Sequence, residues 1–184
     1  MTGALVLVPV LLAVVVGVAV SASRCEHESS PTAVELDAVD SLTVASVGEM
    51  VTAADCVLRG EVVHTERGRE IGSGLESRLV QIRVDEALAG DCPTDTVVLE
   101  EEGWLAGSEV AVEGWSASVE GDVGVWFLLA GRSDELPYAS TVAVAGAPRW
   151  RDGESVAPDS SPGWLRDAVA NGPEGLVRLV RSTG

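Results

Sequence analysis

Three sets of residues in this chain have types that do chemistry in other settings: three cysteines, a run of carboxylates and three evenly spaced tryptophans. The carboxylates are Glu100, Glu101, Glu102, Glu109, Glu113, Glu120 and Asp122. Paired carboxylates serve as general acid and base, or as hard oxygen ligands for calcium. Neither an EF-hand loop nor another calcium repeat accompanies them, and a charge run between strands reads first as a wet loop. Trp104, Trp115 and Trp126 recur every 11 residues, the beat of a hairpin sheet. Trp126, in VGVWFLL, reads as core. Trp104 and Trp115 each follow Glu-Gly and stand either as ring platforms for a sugar or a partner protein, or as packing against the sheet.

The remaining reactive residues are sparse. His27 and His64 are the two histidines, and neither has a cysteine or second histidine at metal-ligand spacing. No Gly-x-Ser-x-Gly elbow, phosphate loop or dinucleotide fingerprint is present, so the sequence names no catalytic residue, metal or cofactor. Twelve basic residues, all arginine, face 29 acidic ones, a formal charge of −17. That balance opposes sequence-independent nucleic-acid binding, which needs cations to displace phosphate counterions, and opposes docking on anionic lipid heads.

The elements that must position these residues are mostly strands. Cys56 to Thr65 (CVLRGEVVHT) is rich in β-formers, and Gly60 in its middle predicts a bulge. The polar, glycine-rich stretch Thr65 to Ser77 reads as a mobile hairpin connection. Arg78 to Leu88 alternates as a strand with one wet face. Asp95 to Glu100 is a third strand, Glu109 to Gly114 a short further one, and Val123 to Ala130 a central apolar strand. Pro137 to Gly146 and Ala147 to Val156 read as a final pair. Helical spacing marks Val47 to Ala54, Gly163 to Ala170 and Pro173 to Arg181. Strands at hairpin spacing with helices at the margins predict a mainly β fold: a small closed or partly open β-barrel. If the first two strands pair antiparallel, Cys56 and Cys92 meet at one barrel end. They are then either a disulfide, closing a loop of about 35 residues and contributing about 3–4 kcal/mol, or two small buried thiols.

Ahead of this domain, Ala4 to Val20 is an unbroken apolar run followed by Ser21, Ala22 and Ser23. It fits a signal peptide cut after Ala22 or Ser23 and equally a retained membrane anchor. Both place the remainder outside the cytoplasm, secreted or anchored through residues 4–20, where a disulfide can form. Arg24 occupies the position where a lipobox needs a small residue, which argues against acylation of Cys25 and leaves it an odd thiol. Residues 25–46 are acidic and Ser/Thr-rich and read as a flexible tether. The domain then spans 47–184, with its C-terminal helices at about 163–181.

The stretches AADCVLRGEVV, RLVQIRVDEALAGD, TVVLEE and EGDVGVWFLL together resemble the netrin-like barrel of tissue metalloproteinase inhibitors, across about Val47 to Val144. The shared grammar is an Ala-Asp ending a short helix, a strand with a mid-strand glycine, a Leu-x-Gly turn and a Gly-Asp before an aromatic strand. The resemblance implies an oligonucleotide/oligosaccharide-binding (OB) architecture. The resemblance does not carry over the family's inhibitory cysteine, since Cys25 follows Arg24, lies far from Cys56 and forms no Cys-x-Cys pattern. The expectation is an exported, non-enzymatic interaction domain with a protein or glycan partner in the envelope. The alternatives are a carboxylate-based hydrolase acting on glycans and a protease-inhibitor-like module.

Overall fold

A computed structural model describes residues 34–36, 44–112, 117–133, 136–141, 147–156 and 162–183. The apolar run Ala4–Val20, Cys25, His27, Glu113 and Trp115 lie outside the described residues. Among the described residues, no helix is long and apolar enough to cross a membrane.

The fold is mainly β, one largely antiparallel sheet with three short helices. Its centre is a long hairpin of β2 (Cys56–Gly72) and β3 (Leu75–Gly90). On one side of the hairpin, β3 pairs antiparallel with β4 (Thr96–Leu105), which turns into β5 (Ser108–Val112). On the other side, β2 pairs with β6 (Val123–Ser133), and β6 carries β8 (Arg149–Arg151) and its partner β9 (Glu154–Ser155). Strand β7 (Leu136–Thr141) runs antiparallel to β6 and touches β4 through one parallel pair, Leu99 with Tyr138. A single pair is not a ladder, so the sheet is not closed. The outermost strand, β1 (Val34–Leu36), lies parallel to β5.

Two apolar clusters hold this together. Leu58, Val62, Val80, Ile82, Val97, Leu99, Trp126 and Leu128 form one cluster, with Cys56 and Ala147. Val57, Val125, Phe127 and Trp150 point the other way, as alternation along a strand requires. They are covered by α1 (Val47–Ala53), α2 (Gly163–Val169) and α3 (Gly172–Thr183) through Met50, Leu165, Ala168, Val169, Leu176, Val177 and Val180. Ser46 caps α1 by accepting from the Glu49 N–H, and Glu49 accepts from the N–H of Ala45, the residue before the cap, a variant of the S-x-x-E capping box.

The structure departs from the sequence-based reading at four places. The Thr65–Ser77 stretch is not a connection: β2 and β3 continue through it and turn only at Ser73-Gly74. Its polar residues stay in strand because ion pairs replace the missing apolar face, with Arg67 on Glu76 and Arg69 on Glu100. The Glu100–Glu102 run is likewise strand, inside β4, rather than a wet loop. Of the stretch Pro137–Gly146, residues 142–146 lie outside the described residues; its described part belongs to β7, which joins β6 and β4, and β8 finds its hairpin partner in β9. Finally, Val34–Leu36, within the stretch read as tether, pairs with the sheet. The bulge expected at Gly60 is present as a register shift between Arg59 and Gly60.

Candidate functional site

Cys56 and Cys92 are bonded, with their Cα atoms 5.1 Å apart. The local chain explains why they meet. Cys56 opens β2 opposite Gly90 at the end of β3. Asp55 just before it is tied on every side: its N–H donates to the Leu128 carbonyl (2.9 Å), its carboxylate accepts from the Ala130 N–H (2.8 Å), and its carbonyl accepts from the Asp91 N–H (3.2 Å). This is the physical content of the Ala-Asp-Cys stretch, which joins the end of α1 to β6 and to the β3 turn. Gly90 sits at φ +76°, and a Cβ there would fall 2.1 Å from the Asp55 carbonyl oxygen, so only glycine fits.

The carboxylate run resolves into a network of ion pairs around the segment 117–122, which leads into β6. Asp122 is fully buried. Arg151 grips it with both faces of the fork, Nε to Oδ1 at 2.8 Å and Nη2 to Oδ2 at 2.9 Å, and Oδ2 also accepts from the Val119 N–H. Arg149 is 4% exposed, with Nε 3.7 Å from Asp122 and Nη1 3.4 Å from Glu101. Glu101 accepts from the Ser118 hydroxyl at 2.5 Å and from the Ser118 N–H at 3.3 Å. Arg78, also buried, donates to the Ser118 carbonyl at 3.1 Å and pairs with Glu109. Arg151 donates again to the Ala117 carbonyl. The result is a strap bolted to β3, β4, β5 and β8 by alternating cations and anions. Buried charges are tolerated only when paired, and each of these has an ion-pair partner, although the buried Arg78 Nε makes no hydrogen bond.

The remaining candidates fall around this network. Glu100 and Glu101 are neighbours on β4, so they alternate in direction. Glu100 receives a bidentate fork from Arg69 at 2.9 and 3.0 Å. That guanidinium holds the Glu100 carboxyl below the usual carboxylate range, against the opposing effect of burial. Trp104 is half-buried, with the Arg67 and Arg78 guanidinium carbons 4.6 and 4.7 Å from its ring centroid. Its ring is thus engaged by cations of its own chain. Trp126 is core, as its sequence implied. Glu102, Glu109 and Glu120 are exposed. His64 is exposed as well, with Nδ1 3.1 Å from Glu120 and Nε2 3.9 Å from Glu66.

Sequence reasoning did not single out Arg78, Arg149, Arg151 or Ser118. Arg149 and Arg151 do carry a signal, since they flank Trp150 in a strand whose central residue is buried on the opposite face. Among the described residues, no three His, Cys, Asp or Glu side chains converge as a metal site. An open concavity of about 660 Å³ lies beside α1, lined by Val44, Ser46, Gly48, Glu49, Thr52, Ala53 and Thr183. Its one titratable group, Glu49, is occupied by the capping box. Comparison with protein-family models, curated proteins and solved structures finds no match to this chain.

Proposed function

We propose that this chain is an exported, envelope-tethered interaction domain that binds a protein or glycan partner and carries out no catalysis. The observation that carries the reading is the commitment of Glu101 and Asp122. These are the two carboxylates best placed for acid–base work, and arginines and strap N–H groups occupy both. Carboxylates paired and hydrogen-bonded in this way serve to hold backbone in place, which supports a binding role over an acid–base one.

Two further observations support the reading. The apolar run Ala4–Val20 has the composition that an export signal or anchor needs, and the Cys56–Cys92 bond fits an oxidising compartment. The strand order β7-β6-β2-β3-β4, with one parallel pair between β4 and β7, is compatible with the OB-type architecture that this reading assumes. Folds of that architecture bind through a strand face and loops, and the fold alone does not identify the ligand.

The test is a paired binding and turnover assay. The purified full chain is screened on a glycan array and against soluble peptidoglycan fragments, with wild type, Glu101→Gln and Asp122→Asn side by side. The proposal expects no turnover by any form. Hydrolysis by the wild type that either substitution abolishes, while the fold persists by circular dichroism, would establish the hydrolase alternative and overturn the proposal.

A further inference from the structure

We propose that Asn171 is a site of spontaneous covalent modification: its side-chain amide is lost through a succinimide formed with Gly172, leaving aspartate or isoaspartate at the joint between α2 and α3. The inference goes beyond the interaction-domain reading and does not depend on it. Four observations carry it. Asn171 is the only asparagine in the chain, and a glycine follows it. It is exposed, in the turn between α2 and α3. Gly172 has φ +68°, and a Cβ built there would meet no atom beyond its chain neighbours within 4 Å, so the side of Gly172 that a side chain would crowd is open. Gly172 also opens α3, so its N–H belongs to the first turn, whose donors have no intrahelical acceptor. Freeing that nitrogen for attack breaks no helix hydrogen bond.

The chemistry balances with water as the one co-reactant. The Gly172 backbone nitrogen gives up its proton and attacks the Asn171 side-chain carbonyl carbon. The new C–N bond closes a five-membered ring, and the side-chain amide takes up the proton and leaves as ammonia. One water then opens the ring at either of its two carbonyls. Both reacting groups lie in adjacent residues, so the step is intramolecular and needs no catalyst to bring them together. It accelerates as pH rises, because the attacking nitrogen must be deprotonated. Val169 on one side of the joint and Leu176 on the other are buried in the cluster that the helices cover. Aspartate adds a negative charge beside the N-terminus of α3, where the helix dipole favours it. Isoaspartate adds the same charge and also lengthens the backbone between the two helices by one methylene.

The test is incubation of the purified full chain at mildly alkaline pH, folded and in urea, followed by trypsin digestion and peptide mass analysis. The chain has no lysine, so cuts after Arg166 and Arg178 place Asn171 in one peptide, Asp167–Arg178. The folded chain is expected to convert within about tenfold of the rate in urea, since an exposed turn reacts with little or no local opening. Aspartate and isoaspartate appear together. Gly172→Ala slows conversion about tenfold in both states by placing a Cβ beside the attacking nitrogen, and Asn171→Gln, which closes only a six-membered ring, stays unconverted over the same period. Protection of the folded chain by more than tenfold, an unchanged rate in Gly172→Ala, or aspartate formed without isoaspartate would overturn the proposal.

Discussion

Asp122→Asn is the substitution that best separates a structural carboxylate from a catalytic one. Asparagine keeps the shape, and its carbonyl can still accept from the Val119 N–H, but it carries no charge for Arg151 and Arg149. Removing one partner of a buried ion pair costs about 3–5 kcal/mol. Two features lower that here: Arg151 is 38% exposed, so water screens part of its loss, and Arg149 keeps Glu101 at 3.4 Å. The expected destabilisation is therefore about 2–3 kcal/mol for Asp122→Asn, and about 3–5 kcal/mol for Asp122→Ala, which also leaves the strap N–H without its acceptor. For a domain of this size each kcal/mol lowers the melting temperature by roughly 2–4 °C. Urea unfolding of the three proteins measures the difference as a shift in midpoint at constant slope. A loss below about 1 kcal/mol for both variants would mean that the network contributes no more than an exposed pair, and the assignment of Asp122 to the strap would fail.

Three other outcomes follow from the same geometry. Replacing both Cys56 and Cys92 by alanine removes a cross-link of sequence separation 36 and costs about 4 kcal/mol in the chain-entropy model, read from urea midpoints of the oxidised protein and the variant. Gly90→Ala forces a Cβ against the Asp55 carbonyl at a left-handed φ; a loss of about 2 kcal/mol or more in thermal unfolding is expected, whereas Gly153→Ala, with open space around it, costs only the strained φ of about 1 kcal/mol. The Glu100 carboxyl is depressed in the folded state by Arg69, so it binds its proton more readily when unfolded. Its contribution is present above the ordinary glutamate range and is lost as pH falls through the depressed folded value. Arg69→Gln should flatten that acid limb of the stability–pH curve, and an unchanged limb would contradict the pairing.

What the sequence disclosed followed from periodicity and turn chemistry. The apolar spacing at Leu176, Val177 and Val180, the β-branched run at Cys56–Thr65 and the turn at Gly90 were each local, and each element formed near where it was expected. The pairing of Cys56 with Cys92 was accessible because one hairpin register carries both residues to the same end. The polar arm of β2 and β3 was not legible as strand, because its stability comes from partners on other strands: Arg69 finds Glu100 31 residues away. Nor was the strap. Arg78, Arg149 and Asp122 look like ordinary surface charges until β3, β8 and the turn before β6 converge. Charge burial is a property of the assembled sheet, and no window of the chain contains it.

The exported interaction domain is tested most directly by intact-mass analysis of the native protein under non-reducing conditions, taken from separated cytoplasmic, membrane and extracellular fractions. The chain is predicted in the membrane or extracellular fraction. It should be either full length or cut after Ala22 or Ser23, with the mass of one intrachain disulfide and no acyl group. A full-length, fully reduced chain confined to the cytoplasm would contradict it.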